Sequence, residues 1–188
     1  MDYNNRATLL WVDLEMTGLD PEQDKILEVA AIGTDWGLNP ICEYTGVVKV
    51  DENFMKSRMV GKFWESNPAS RDGLIAQNQT GQPVDAIEDE LLEFLDNNFA
   101  KQSIKDDSKG KHKIILAGNS IHQDRKFLDR EMPRLAARLH YRMLDVSAWK
   151  VYFEGAKNIH FTKRENHRAL DDINGSIEEL KWYLTFLK

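Results

Sequence analysis

The feature that most restricts this chain is a pair of carboxylates set inside an apolar run. Leu9-Leu10-Trp11-Val12-Asp13-Leu14-Glu15-Met16 is short, is closed by Gly18, and reads as a buried strand rather than a helix. Side chains alternate faces along a strand, so Asp13 and Glu15 share one face while Val12, Leu14 and Met16 share the other. Two ionised carboxylates side by side near a core are costly unless positive charge sits between them. A divalent cation would supply that charge. An edge strand with a wetted polar face would also tolerate the pair, but the unbroken apolar stretch from Leu9 to Val12 argues for a central strand.

Further strands are expected at Ile26–Gly33 and Ile41–Val50, separated by turn residues and forming an antiparallel meander with the first. Asn67-Pro68 marks a helix start, and Asp85-x-x-Glu88 resembles a capping box ahead of Ile87, Leu91, Phe94 and Leu95 at helical spacing. Lys101–Lys113 is polar, charged and nearly free of apolar anchors, which predicts an exposed loop. A buried strand resumes at Lys113–Gly118. Helical spacing follows from His122 to Leu139, broken near Pro133, then a strand at Tyr141–Val146 and a helix at Ser147–Phe153. Gly155–Glu165 reads as irregular, and the chain ends in a helix over about Arg168–Leu187. A meander followed by alternating strands and helices predicts an α/β fold: a mixed five-stranded sheet flanked by helices, with the opening strand central. The 188 residues suit one domain.

In an open α/β sheet, ligands gather beyond the carboxyl ends of the strands. Asp13, Glu15 and Asp124, which lies just past the strand ending at Gly118, would meet there. By itself Asp124 is equally explained as a carboxylate near a helix N-terminus. In the last helix, Leu170, Ile173, Ile177, Leu180 and Leu184 define an apolar stripe. At about 100° per residue, Asp171 falls opposite that stripe and Asp172 on its margin, so Asp172 is the one placed to reach inward. His167, five residues earlier, is suited to accept a proton near neutral pH. Oxygen ligands favour magnesium or manganese, and a pair of such ions can stabilise both attacking and leaving oxygens of a phosphodiester.

Asp13-x-Glu15, Asp124 and His167-x-x-x-x-Asp172 resemble the three motifs of the DEDDh 3'-to-5' exonucleases, which have a ribonuclease H-like fold. WVDLEMTGLDP, GNSIHQDRKFL, HYRMLDVS and HRALDDI are similar to signatures of one branch of that family, and the likeness covers nearly the whole chain. The resemblance implies that Asp13, Glu15, Asp124 and Asp172 bind two divalent metal ions, Mg2+ or Mn2+, and that His167 is the general base. It implies that Leu19 wedges against the bases, that Trp64 stacks on one, and that Ser120, Arg142, Ser147 and Lys150 cap a 5' phosphate. Such a cap would restrict substrates to short oligoribonucleotides, dinucleotides above all, cleaved to 5'-mononucleotides. It further implies a homodimer in which the His140-Tyr141-Arg142 segment, with Tyr141 and Arg142, reaches the neighbouring site. The chain departs from that pattern at Ala69, where a histidine is frequent, and in the length of Lys101–Lys113.

Charge bears on the substrate. The formal net charge is −6, which disfavours tight binding to long nucleic acid. Ile121–Lys150 nevertheless carries seven Lys/Arg against four Asp/Glu. Arg130, Arg134 and Arg138 are expected on a solvated helix face; Arg142, on a strand, is the better phosphate partner. Cys42 is alone, which excludes a disulfide framework and fits a reducing cytoplasm; no stretch is long and apolar enough for a membrane span. Three other readings compete: an exonuclease trimming longer RNA or DNA, a silent nucleic-acid-binding module, and a phosphatase built on Asp13-x-Glu15. Glu15 fits the last poorly, and that chemistry has no use for His167.

Overall fold

The computed structural model describes residues 6–99, 104–105, 112–162 and 168–187. The opening run forms β1 (Leu9–Met16), which pairs antiparallel with β2 (Ile26–Thr34), itself antiparallel to β3 (Pro40–Val47). On its other side β1 runs parallel to β5 (His112–Gly118), and β5 runs parallel to β6 (Leu139–Asp145). Order β3-β2-β1-β5-β6 places the opening strand at the centre of a five-stranded mixed sheet, as its apolar flanks require. A two-residue strand, β4 (Ile104–Lys105), adds to β5 through Ile104↔Lys113 and Lys105↔His112. That pairing corrects the expectation of a plain loop at Lys101–Lys113; residues 106–111 lie outside the described residues.

The alternation along β1 builds two cores. Leu10, Val12 and Leu14 pack with Val29 and Ala31 of β2 against α4 (Val84–Asn98), α5 (His122–Glu131) and α6 (Pro133–Ala136). Leu9 and Trp11 pack with Ala30 and Ile32 against α7 (Val146–Lys157) and α8 (Ala169–Leu184), with the Trp11 indole N–H donating to Thr34 Oγ1 at 3.0 Å. A third cluster joins Leu27 to Met55 on α1 (Glu52–Arg58), Met59 at its C-cap, Trp64 on α2 (Lys62–Ser66) and Leu74 on α3 (Pro68–Gln77). The first two of these helices are too short to show a sequence period. Among the described residues no helix is long and apolar enough to cross a membrane.

Several sequence expectations shift. α7 continues to Lys157, through the first part of the segment read as irregular, and ends at Asn158 in a left-handed conformation. α4 begins after Pro83 with no side-chain cap. Glu88 is therefore not half of a capping box: its carboxylate accepts from the Arg134 and Leu135 backbone N–H groups and from Arg134 Nε. The buried side of α8 is also wider than the predicted stripe. It includes Ser176, Glu179 and Tyr183, whereas Leu184 is exposed.

Candidate active site

The site lies where one face of β1 changes from apolar to acidic. Leu9 and Trp11 are covered by α8; two and four residues further along the same face stand Asp13 and Glu15, where α8 begins. Asp172 enters from the first turn of α8. Donor oxygens of Asp13, Glu15 and Asp172 lie within 4.8 Å of one another, all three side chains half-buried. Asp171 points to solvent. The 100° rotation between neighbours on a helix thus separates the two aspartates as the sequence predicts.

Asp124 stands one step behind this triad. β1 and β5 pair only as far as Trp11↔Ala117, and the strands then part, leaving the Leu14 N–H without a strand partner on that side. Asp124 Oδ1 accepts it at 3.0 Å. Burial pushes the Asp124 carboxyl up to about 7, partly offset by the Leu14 N–H, with Asp145 adding repulsion. Burial likewise raises Glu15 to about 8, reinforced by Glu28, Asp172 and Asp124 and opposed by Arg168. Desolvation, reinforced by neighbouring carboxylates, holds protons on Glu15 and Asp124. A cluster of hard oxygen donors in that condition fits a divalent cation of the magnesium or manganese type. His167 lies outside the described residues.

Sequence reading missed Glu28. It sits opposite Glu15 in the β1–β2 register, is buried, accepts from Gln77 Nε2 and lies 3.6 Å from the Arg168 guanidinium. A lone glutamate inside the otherwise apolar ILEVAAIGT was the available signal.

The loop after β1 is clamped from several sides. Asp24 accepts from Thr17 Oγ1, from the Asp20 N–H and from Arg58 Nε. Burial would raise its pKa, but Arg58 and these hydrogen bonds hold it below the usual carboxylate range. Gly18 is required because a Cβ there would collide with the Asp24 carboxylate. Gln123 Nε2 donates to Leu19 O, and Trp64 Nε1 donates to Thr17 O at 3.2 Å. Leu19, 72% exposed, therefore projects from a fixed backbone. It borders a pocket of about 480 Å³ lined by Asp13, Glu15, Val60, Phe63 and Trp64 among others. Trp64, expected to stack on a base, lines this pocket with its indole N–H directed to the protein. It is only 6% exposed, and its neighbour Phe63, ring centroids 5.0 Å apart, is 58% exposed. A donor to Thr17 O must face the protein, which turns the indole inward.

At the same carboxyl edge of the sheet, Ser120 follows β5 and Ser147 opens α7. The two hydroxyls are 3.1 Å apart, and the Ser120 N–H donates to both Asp145 Oδ1 and Ser147 Oγ. Ser120 has φ 47°, a left-handed backbone uncommon outside glycine and fixed by these bonds. Arg142 and Lys150 are exposed and have no acidic partner among the described residues, while Arg142 lies over the Tyr141 ring. Arg130, Arg134 and Arg138 each pair with a carboxylate, of Glu22, Glu88 and Asp96 respectively.

Carboxylates gathered at the parallel edge of such a sheet define a metal-dependent nuclease class, and comparison agrees. The chain matches the RNase_T family profile, described as Exonuclease, over residues 10–61 and 86–180, and belongs to that exonuclease family. Relatives similar to it over nearly their whole length include oligoribonucleases. That of Chromobacterium violaceum is 40% identical, the match covering 97% of this chain and 94% of the relative. That of Haemophilus ducreyi is 41% identical over 93% and 91%, and that of Escherichia coli O157:H7 38% over 95% and 94%. Among solved structures, apo exonuclease I is similar with TM-score 0.65 at 14% identity, covering 96% of this chain but 42% of that one. The chain spans about two fifths of that protein, and the likeness shows the fold alone.

Proposed function

We propose that this chain, acting as one exonuclease domain, removes nucleotides from the 3' end of very short oligoribonucleotides and releases 5'-mononucleotides. The observation that carries the reading is the acidic triad Asp13, Glu15 and Asp172, gathered beside a pocket walled by exposed Leu19 and Phe63. Asp13, Glu15 and Asp172 would hold two divalent ions, magnesium or manganese, with Asp124 flanking them. When bound, such ions neutralise charge on a phosphodiester and make a coordinated water acidic.

The chain's own groups do the rest. Asp124 fixes the β1 backbone through the Leu14 N–H and so sets the spacing of Asp13 and Glu15. Leu19 and Phe63 offer apolar faces to the terminal bases, and stacking of this kind contributes about 1–3 kcal/mol per base whatever its identity. Trp64, which lines the same pocket, stacks on a base, as the resemblance implies. The resemblance assigns His167 to take the proton from the attacking water on an imidazole nitrogen. Arg142, Lys150, Ser120 and Ser147 receive the far phosphate, which sets the length of substrate that fits. The chain works as a homodimer whose Tyr141 and Arg142 segment reaches the neighbouring site. In support, Tyr141 on the edge strand β6 and Val151 and Tyr152 on α7 are exposed. A lone cysteine supports a cytoplasmic setting.

The test is 5'-labelled RNA of graded length, from dinucleotide to beyond about twenty nucleotides, incubated with magnesium, with manganese, and with chelator. Stepwise loss from the 3' end only with metal, strongest on the dinucleotide, is expected. Uniform turnover of all lengths would replace this reading by a trimming exonuclease, and binding without turnover by a silent module. Arg142→Ala should cost the dinucleotide about tenfold more than long RNA, the scale of one charge-assisted hydrogen bond. An unchanged length profile would remove Arg142 from the phosphate site.

A further inference from the structure

One buried carboxylate has no part in the chemistry above. Glu179, on α8, is 2% exposed, yet it faces the carboxyl edge of the sheet through Asn119. Residues 172, 176, 179 and 183 recur at helical spacing, so a single stripe of α8 carries Asp172 to the triad, Ser176 and Glu179 to Asn119, and Tyr183 to Glu179.

The donors and acceptors follow from the contacts along this path. Both Glu179 carboxyl oxygens are acceptors in this arrangement, so the Asn119 amide turns its NH2 toward the carboxyl group, and Nδ2 donates to Glu179 Oε2 at 3.0 Å. The Ser176 hydroxyl proton goes to Asp172 O at 2.8 Å, which leaves Ser176 Oγ to accept the other Asn119 N–H at 3.0 Å. Tyr183 OH donates to Glu179 Oε1 at 3.1 Å, and burial together with Glu179 raises its pKa, so it remains a donor. With its NH2 so committed, Asn119 presents carbonyl Oδ1 to Ser147, whose hydroxyl must donate to it, at 3.3 Å. Ser147 Oγ then accepts the Ser120 N–H at 2.9 Å. Of the two serine hydroxyls, only the exposed Ser120 keeps a proton that can turn outward.

We propose that Glu179 is a positioning residue for the phosphate-binding end of the cleft. Acting through Asn119, it orders the Ser147–Ser120 pair so that the Ser120 hydroxyl donates to a terminal phosphate oxygen of the substrate. The inference rests on the reading of Ser120, Ser147, Arg142 and Lys150 as the phosphate site. Replacing the carboxylate by an amide admits a donor opposite Asn119. The Asn119 side chain can then flip, and the direction of the whole chain is lost.

The experiment compares Glu179→Gln with the unmodified protein on a 5'-phosphorylated and a 5'-hydroxyl dinucleotide, with magnesium present. The KM for the phosphorylated substrate should rise about tenfold, the loss of one hydrogen bond to a charged group, with kcat within about twofold. The KM for the hydroxyl substrate should not move. In a Ser120→Ala background Glu179→Gln should add no further loss, because the two act on one bond. Should Glu179→Gln fail to fold, Asn119→Ala, at a half-exposed position, breaks the same link and should give the same selective rise. Equal effects on both substrates, or none, from a folded Glu179→Gln or Asn119→Ala overturn the proposal. Arg142→Ala, which leaves this network intact, separates the two levels. If it too fails to discriminate the substrates, the phosphate site itself falls, and Glu179 with it. If it discriminates and Glu179→Gln does not, only the role of Glu179 is lost.

Discussion

Glu88 and Glu15 show how differently one chain can treat a glutamate withdrawn from water. Glu88, on α4, is 1% exposed and meets three donors: the Arg134 and Leu135 N–H groups at 2.7 and 3.0 Å and Arg134 Nε at 2.7 Å. Its charge is matched within the fold, and it ties α4 to α6. Glu15, half-buried on β1, is pushed up to about 8 by burial, with Glu28, Asp172 and Asp124 reinforcing the shift and Arg168 opposing it. The arginines repeat the contrast. Arg134 and Arg138 are spent on carboxylates of α4, whereas Arg142 and Lys150 at the cleft edge have none among the described residues. Charge balanced internally holds the fold together. Charge left unbalanced at a strand edge is available to metal and phosphate.

The largest expected effect tests the acidic side of that contrast. Asp172→Ala should lower turnover by more than about 10²-fold, beyond what loss of a group that merely orients a ligand costs, while Asp171→Ala stays within about threefold. Equal losses, measured on a dinucleotide at saturating magnesium, would undo the separation of the two faces of α8. Glu88→Ala should do the reverse. It leaves Arg134 and two backbone donors without their acceptor and should cost about 2–3 kcal/mol by urea denaturation, a figure reduced because Arg134 is half exposed. Turnover per folded molecule should change less than about twofold; a catalytic defect without a stability defect would break the comparison.

The smallest effect is one of pH. Glu15 and Asp124 bind protons more tightly in the folded chain, at about 8 and about 7, than their ordinary values of 4.5 and 3.8 allow when unfolded. The stabilisation this gives is complete below the ordinary values and is lost as pH rises through 7 to 8. Metal-free protein should therefore melt several degrees lower at pH 8.5 than at pH 5.5. Magnesium or manganese should remove most of that difference, since a cation stabilises the ionised carboxylates. A melting temperature that is flat with pH, or that metal leaves unchanged at pH 8.5, would mean that Glu15 and Asp124 do not hold protons more tightly in the folded chain.

Much of this molecule is determined locally. The alternation in LLWVDLEM decides which side chains of β1 face α8, and the rotation per residue in LDDI decides that Asp172 rather than Asp171 turns inward. Both follow from backbone geometry over a few residues, and a sequence carries that information directly. Contacts between distant segments are a different matter. Nothing near Glu88 announces Arg134, 46 positions away; nothing near Asn119 announces Glu179, 60 positions away; and Trp64 turns inward only because Thr17 O awaits its N–H. A polar side chain at a helical position is equally compatible with solvent and with a buried partner. Only when the sheet brings β1, β5 and α8 together does desolvation force the choice, because a buried donor or acceptor without a partner costs more than the fold can carry.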